Sequence, residues 1–202
     1  MQLPIDPTLI LRDPGAMLRE LRAQLPADAD LWIFGYASLI WRPEFDTAER
    51  RMATVHGWHR CFRMRSRVNR GTKEQPGLVF ALMRGGSCHG VVDRLRREHA
   101  EAELERLWQR EMPTGVYDPR WLRCRTTQGA VTALAFTLSH ASEQYMGPIG
   151  DAQMLHILRH ARGRYGSTWQ YLEDTARSLR QHGLHDREIE RLVALARRHG
   201  IN

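Results

Sequence analysis

The spacing of apolar residues predicts helices near both ends of the chain and one in the middle. Residues 13–25 (DPGAMLRELRAQL) have the pattern of an amphipathic helix, with Asp13 as the N-cap and Pro14 at the first helical position. Residues 97–111 show the same pattern more strongly. Three more helices are predicted in the last third, divided by Gly166 and Gly183, at about 150–164, 167–182 and 185–199.

Short apolar runs between these helices predict strands. Residues 31–34 indicate a buried strand that ends abruptly in a tight loop, Gly-Tyr-Ala-Ser, at 35–38. Residues 53–64 mix aromatic and β-branched side chains and predict another strand. Residues 77–83 and 89–95 are interpreted as two strands joined by a turn at Gly85 and Gly86. Residues 121–138 predict a β-hairpin that turns at Gln128 and Gly129.

The order of these elements predicts an α+β fold. The polar stretch 65–77, with two glycines and a proline, is interpreted as a long surface loop of the kind that often binds ligands. We therefore expect a small mixed or barrel-like β-sheet with one inserted helix and C-terminal helices. The 202 residues are predicted to form a single domain, with a helical N-terminal extension at 1–29 and a helical part at 150–202.

Composition narrows the class of protein. Hydrophobic residues make up 42% of the chain and charged residues 26%, which is typical of a folded globular protein. No apolar run approaches the roughly 18 residues that a membrane helix needs, and the N-terminus does not have the pattern of a secretory signal. The three cysteines are too widely spaced to predict a disulfide framework or a metal knuckle. We expect a cytoplasmic protein without membrane attachment.

The net charge of +7 leaves two interpretations open. Lys73 is the single lysine among 30 basic residues, and the other 29 are arginines. Because these arginines are scattered and interleaved with acids, they favour a general use of Arg in place of Lys, with a surface that attracts small anions. An Arg-rich nucleic-acid-binding module is the alternative, and a salt titration of RNA binding distinguishes the two.

Glu111 is the most informative single residue. At about 100° per residue, it falls roughly 20° from Leu104, inside the apolar stripe that this helix shows. The stripe is formed by Ala100, Leu104, Leu107 and Trp108. Glu98, Glu103 and Glu105 are expected to face solvent. A buried carboxylate has a raised pKa, which suits a general base near neutral pH. A frayed helix end or an ion pair with a nearby arginine is the plainer interpretation.

Other candidate sites carry less information. The backbone N–H groups of the 35–39 loop are able to bind an anion, although a plain strand-to-loop turn explains the same residues. His156 and His160 lie four residues apart on a predicted helix, but no third metal ligand is evident. Neither the cysteines nor Ser38 lies in a recognisable nucleophile motif. We therefore predict no metal and no cofactor.

Five segments, taken in order, resemble the ChaC-type gamma-glutamylcyclotransferases. They are WIFGYASLIW (32–41), VHGWHRCF (55–62), NRGTKEQPG (69–77), HGVVDRL (89–95) and LWQREMPTGVYDPRW (107–121). The family pattern has a GYGSL-type strand end, a GWxR segment, an RGT…PG loop, a GVxxRL strand and an LW-x-RE helix end followed by GxY. The resemblance runs from about residue 30 to 138, is weaker beyond it, and is strongest to bacterial members.

The resemblance implies a small β-barrel enzyme whose substrate reacts with itself. The α-amine of a γ-glutamyl group attacks its own γ-amide carbonyl and releases 5-oxoproline; with glutathione the other product is Cys-Gly. One base and an oriented substrate suffice for such a reaction. The implied substrate is glutathione or a γ-glutamyl peptide, and a cyclotransferase for other γ-glutamyl amino acids or amines is the alternative. The natural substrate and the oligomeric state are left open.

The resemblance also implies which residues form the site. It gives Glu111 the acid–base role and the 35–39 loop the substrate-binding role. The implied substrate-binding residues are Phe34, Gly35, Tyr36, Ala37, Ser38, Leu39, Tyr117 and Tyr145. Two positions depart from the family pattern: Ala37 replaces a usual glycine, and Asp93 replaces an aromatic or apolar residue. If Ala37 needed a positive φ, its backbone would be strained.

Overall fold

A closed five-stranded β-barrel forms the centre of the molecule in a computed structural model, which describes residues 6–24 and 30–202. Its strands are β1 (Trp32–Gly35), β2 (Thr47–Ser66), β3 (Gly77–Leu95), β4 (Asp118–Thr126) and β5 (Gly129–Thr137). They are arranged in the order β1-β3-β2-β4-β5. Parallel pairing of β1 with β5, with Trp32 opposite Ala133, closes the barrel. The predicted α+β barrel with an inserted helix and C-terminal helices is confirmed.

Within the described residues, six α-helices surround the barrel. They are α1 (Pro14–Arg22), α2 (Ser38–Trp41), α3 (Ala100–Glu111), α4 (Asp151–His160), α5 (Thr168–Gln181) and α6 (Arg187–Arg198). Short 3₁₀ turns lie at Pro7–Leu9 and Arg97–His99, and a small hairpin pairs β6 (Arg162–Gly163) with β7 (Gly166–Ser167). Asp13 caps α1 as predicted, since its side chain accepts from the backbone N–H groups of Gly15 and Ala16. The predicted last residue of that helix, 25, and parts of the 1–29 extension lie outside the described residues.

Two apolar clusters pack on the two sides of the sheet. Trp32 and Phe34 contribute to the cluster that includes the C-terminal helices, while Ile33 between them contributes to the cluster with α1 and α3. This alternation is what a strand buried on both faces requires. The indole Nε1 of Trp108 donates to the carbonyl of Pro14 at 2.8 Å and joins α3 to α1. The barrel is therefore covered by helices on both sides of β1.

The predicted turn at Gly85 and Gly86 is wrong. Residues 77–95 form one strand that pairs with β2 over most of its length, and the register shifts between His56 and Trp58. Gly85 and Gly86 have φ values of 107° and 68°. Because β2 is as long as β3 and supplies a partner throughout, these glycines bend a continuous ribbon as a bulge and do not reverse the chain.

The loop between β2 and β3 is long, as predicted, but part of it is buried. Arg70 is 7% exposed, and Gly71 is buried with it. The Thr168 hydroxyl donates to the Arg70 carbonyl at 2.9 Å. A Cβ on Gly71 would lie 2.0 Å from the backbone nitrogen of Gly77. Polarity of the side chains suggested a surface loop, whereas backbone packing against α5 and the β6–β7 hairpin buries this part of it.

The expectation that Glu103 faces solvent is also wrong. Its side chain is buried and accepts from Arg106 Nη2 at 2.7 Å. On the helical wheel Glu103 lies about 40° from Leu107, so a buried face slightly wider than the apolar stripe includes it.

We predict that Gly71→Ala strongly destabilises the protein. The added methyl group meets backbone atoms of Gly77, Ser66 and Gln75 at 2.0–2.7 Å, and none of these is a flexible side-chain end. The free energy of unfolding, measured by urea denaturation, should fall by about 3 kcal/mol. Gln75→Ala in the same loop is exposed and should stay within about 0.5 kcal/mol of the parent. Equal stabilities for the two variants would contradict the tight packing of this loop.

Candidate active site

A cavity of about 150 Å³ opens beside the barrel, where α2, the end of α3, the β2–β3 loop and α5 meet. We call it the Glu111 cavity. Its walls include Ser38 on α2, Glu111 on α3, Arg70 in the loop, Tyr117 before β4 and Tyr171 on α5. Three of the residues implied by the resemblance, Ser38, Glu111 and Tyr117, therefore line one cavity.

Glu111 is the last residue of α3 and its side chain is 15% exposed. Burial raises the pKa of this carboxyl group, Arg110 opposes the rise, and Glu44 adds to it. Arg110 Nε lies 3.1 Å from Glu111 Oε1, so the ion pair expected in the plainer interpretation is present as well. The result is a carboxylate that is largely removed from water, paired on one oxygen, and accessible from the cavity.

Three buried tyrosines lie near this carboxylate. The Tyr117 hydroxyl donates to the Tyr36 hydroxyl, which donates to the Phe136 carbonyl at 2.8 Å. Burial raises the pKa of Tyr36 and Tyr117 well above the usual value, and the negative charge of Glu111 adds to this rise. Burial also raises the pKa of Tyr171 to about 12. All three phenols therefore stay neutral at physiological pH and act as hydrogen-bonding groups.

The 35–39 loop approaches the cavity mainly through Ser38. Its hydroxyl hydrogen-bonds to that of Tyr171, and its backbone begins α2. The N–H groups of Ser38 and Leu39 lie in the first turn of this helix, where no carbonyl of the same helix accepts from them. Ala37 has φ −145°, so this position does not require glycine and the anticipated strain is absent.

The neighbouring residues Phe34, Gly35 and Leu39 are buried. Phe34 is fully buried in the core, and Leu39 is 5% exposed. Gly35 is closely packed, since a Cβ there would lie 3.2 Å from Val91 Cγ2. These three residues shape the loop and do not line the cavity.

Arg60 fixes the loop backbone from the opposite side. Its side chain is 5% exposed; Nε donates to the Tyr36 carbonyl and Nη2 to the His89 carbonyl. Nη1 pairs with Asp186 Oδ2 at 2.6 Å, and the same aspartate caps α6 by accepting from the Ile189 N–H. The C-terminal helices are thus connected to the backbone of the 35–39 loop through a largely buried ion pair. Arg60 belongs to the GWxR segment, but spacing alone did not reveal its role.

Sequence reasoning also missed most of the cavity's charged lining. This lining includes five arginines and two glutamates: Arg42, Arg65, Arg67, Arg70, Arg110, Glu44 and Glu111. A scattered distribution in sequence concealed this cluster, because the arginines come from four different segments. The N-terminal segment was missed too. Leu9 and Leu11 line the cavity, and the Leu11 N–H donates to the Thr114 carbonyl at 2.8 Å.

Tyr145 and Asp93 lie apart from the cavity lining. The Tyr145 ring packs edge-on against His140, with ring centroids 5.1 Å apart, and its backbone bridges to Met64. Asp93 is fully buried and forms two hydrogen bonds with Arg50, at 2.7 and 2.8 Å. Its departure from the family pattern is therefore accommodated by a local ion pair in the barrel wall.

Two kinds of feature, a metal-binding cluster and a membrane-spanning helix, are not found among the described residues. No cluster of three or more His, Cys, Asp or Glu side chains within 6–24 and 30–202 is placed to hold a metal ion. Over the same ranges, no helix combines the length and apolar character needed to cross a membrane.

Comparisons with known proteins agree on one family. A family model described as ChaC-like protein matches residues 31–199. The glutathione-specific gamma-glutamylcyclotransferase of Escherichia coli is 36% identical over 180 residues, which cover 89% of this chain and 78% of that protein. The human glutathione-specific gamma-glutamylcyclotransferase 1 is 31% identical over 159 residues, covering 74% and 72% of the two chains. A yeast gamma-glutamyl cyclotransferase specific to glutathione has the same fold, with a TM-score of 0.75 at 20% identity over 85% of this chain and 97% of that one.

We predict that Asp186→Asn destabilises the protein more than loss of a surface ion pair does. Asn retains the helix cap but removes the charge that compensates the buried Arg60 guanidinium. The free energy of unfolding should fall by about 2 kcal/mol. The control is Asp174→Asn, which breaks the exposed Asp174–Arg177 pair and should cost less than about 0.5 kcal/mol. If both variants lost the same small amount, Arg60 would not depend on Asp186.

Proposed function

The chain belongs to the ChaC-like protein family, and we propose that it is a gamma-glutamylcyclotransferase that cleaves glutathione into 5-oxoproline and Cys-Gly. The observation that carries the proposal is the largely desolvated carboxylate of Glu111 in a cavity whose lining includes five arginines. A small anionic substrate suits the arginines, and a reaction that needs one base suits Glu111, the less exposed of the two lining carboxylates. The names of the relatives support glutathione as this substrate.

We assign the proton transfers to Glu111. Its carboxylate removes a proton from the α-ammonium group of the bound glutamyl residue, and the resulting amine attacks the γ-amide carbonyl carbon. A new C–N bond closes the five-membered ring, and the C–N bond to cysteine breaks. Glu111 passes the proton to the leaving nitrogen, then removes the second proton from the ring nitrogen and delivers it to the same group. The cysteine amine therefore leaves as an ammonium group, and Glu111 ends as a carboxylate. A carboxyl group whose pKa is raised by burial serves both steps near neutral pH.

Orientation supplies the rest of the rate enhancement in this proposal. The flexible glutamyl chain must curl until its amine reaches its own γ-carbon, and holding such a conformer removes a large entropic barrier. The backbone N–H group of Ser38, the one residue of the 35–39 loop that lines the cavity within the described residues, is suited to the α-carboxylate. The neutral hydroxyl of Tyr117, whose proton is donated to Tyr36, is suited to accepting a hydrogen bond from the substrate. Roles for Tyr36, as a support of Tyr117, and for Tyr145 remain predictions.

Other expectations stay predictions under this proposal. The cytoplasm is the proposed compartment, because all three cysteines, Cys61, Cys88 and Cys124, are unpaired. Cyclisation of other γ-glutamyl amino acids or amines is distinguished by assaying 5-oxoproline over a panel of such compounds alongside glutathione. Binding of nucleic acid is tested by its salt dependence, since contacts to phosphates weaken steeply as salt rises.

We predict that Glu111→Gln abolishes formation of 5-oxoproline from glutathione. Gln is nearly isosteric but accepts no proton, so kcat should fall by about 100-fold or more. Glu105→Gln, an exposed position on the same helix, is the matched control and should keep the parent's activity. Circular dichroism confirms that both variants are folded. Near-normal turnover by a folded Glu111→Gln enzyme would exclude Glu111 as the base.

The same variant should be more stable than the parent at neutral pH. The pKa of Glu111 is higher in the folded than in the unfolded protein, because burial disfavours its charge. The parent therefore loses stability as pH rises from the unfolded pKa through the folded one, whereas the Gln variant does not. Urea denaturation between pH 5 and pH 8 should show the difference in the free energy of unfolding growing with pH. A difference that shrinks with rising pH would mean that the Arg110 ion pair outweighs burial.

A further inference from the structure

Most of the arginines that line the Glu111 cavity form hydrogen bonds or ion pairs within the protein, but one does not. Arg110 pairs with Glu111 and Glu44, both at 3.1 Å, and Arg42 pairs with Glu44 at 2.5 Å. Arg70 donates to the Tyr165 carbonyl at 2.6 Å, and Arg65 donates to the Glu143 carbonyl at 2.5 Å. Four of the five lining guanidinium groups therefore have partners within the chain.

Arg67 is the exception. It lies in the cavity wall just after the end of β2 and is partly buried. Within the described ranges, its side chain has no hydrogen bond, ion pair or ring contact, and its Nε is buried without an acceptor. A buried donor of a charged group left without an acceptor is costly, so such groups are normally satisfied. Its Nη1 and Nη2 groups also lack a partner within the described ranges but are not buried, so a ligand in the cavity is able to reach them.

The guanidinium geometry indicates what kind of ligand group fits. A planar fork of N–H donors matches a carboxylate, which accepts two parallel hydrogen bonds. Glutathione carries two carboxylates, one on the glutamyl residue and one on the C-terminal glycine. The proposed chemistry places the glutamyl end at Glu111 and the first turn of α2, which leaves the glycine carboxylate for another part of the wall.

We propose that Arg67 determines substrate specificity by binding the glycine carboxylate of glutathione, an inference that rests on the proposed function. It separates glutathione from γ-glutamyl amines, which have no carboxylate beyond the glutamyl residue. It also gives Arg67 a role distinct from that of Arg110, whose charge is already used by Glu111 and Glu44.

The test compares glutathione with its C-terminal carboxamide, which removes the charge and keeps the size. We expect the parent enzyme to prefer glutathione by about 10-fold or more in kcat/KM, as for one charge-assisted interaction. Arg67→Gln should lower kcat/KM for glutathione by this factor, chiefly through KM, and leave the carboxamide nearly unchanged. Arg67→Lys should restore part of the preference. Arg123→Gln, at an exposed position of β4, is the control and should behave like the parent.

Three results separate the inference from the function on which it rests. If Arg67→Gln keeps the parent's preference for glutathione, the inference is overturned while the cyclotransferase activity stands. If the variant loses activity equally on both substrates, Arg67 binds the glutamyl end, which also overturns the inference. If the parent forms no 5-oxoproline at all, the proposed function fails. Binding of both compounds to the parent and to Arg67→Gln, measured by calorimetry, then decides whether Arg67 recognises the carboxylate.

Discussion

The site depends on keeping one carboxylate out of bulk water while a cavity leaves part of it accessible. Glu111 satisfies this constraint because it is the last residue of α3 and lies on the face by which that helix packs. Leu104 and Trp108 bury the same face about two turns and one turn earlier, respectively, and Trp108 is hydrogen-bonded to the start of α1. A displacement of α3 would rehydrate the carboxylate and bring its pKa back towards the ordinary value. The packing of this helix is therefore a condition of the proposed chemistry.

The barrel fixes the position of the 35–39 loop, whose Ser38 lines the Glu111 cavity. β1 is central to closure, since it pairs antiparallel with β3 and parallel with β5, and the chain leaves it directly into the 35–39 loop. Arg60, on β2, donates a hydrogen bond to the carbonyl of Tyr36, the first residue after β1. The loop backbone is thus constrained by strand pairing before it and by a buried guanidinium beneath it. Such rigidity suits a reaction in which the substrate, and not the enzyme, supplies the nucleophile.

Sequence patterns predicted the helices and strands that bury an apolar face. They failed where contacts between backbone segments determine the conformation. The periodicity of 97–111 placed Glu111 on a buried face, and the order of five motifs indicated the barrel. Gly85 and Gly86 were misinterpreted because two glycines predict a turn unless a partner strand is known to continue past them. The burial of Arg70 depends on the close backbone packing of Gly71, Gly77 and Gly163. Glycines have no side chain whose pattern could predict such packing, and Gly163 is distant in sequence from the other two. Ion pairs between distant segments, such as Arg60 with Asp186, leave no local pattern at all.

Some residues that line the Glu111 cavity lie within the segment that the family model matches, and others lie before that segment. Glu111, Tyr117, Ser38 and the arginines of the β2–β3 loop lie within the matched residues 31–199. Leu9 and Leu11 lie before them, on a segment attached by the Leu11–Thr114 hydrogen bond and by Arg12, which donates to the Gly115 carbonyl at 2.7 Å. Gly115 has φ 65°, and a Cβ there would lie 2.7 Å from the Arg12 carbonyl oxygen, so glycine is what allows the segment to approach this closely. The groups to which the proposal gives chemical roles thus lie in the part of the chain that matches the family, while Leu9 and Leu11, outside that part, add apolar side chains to the lining of the same cavity.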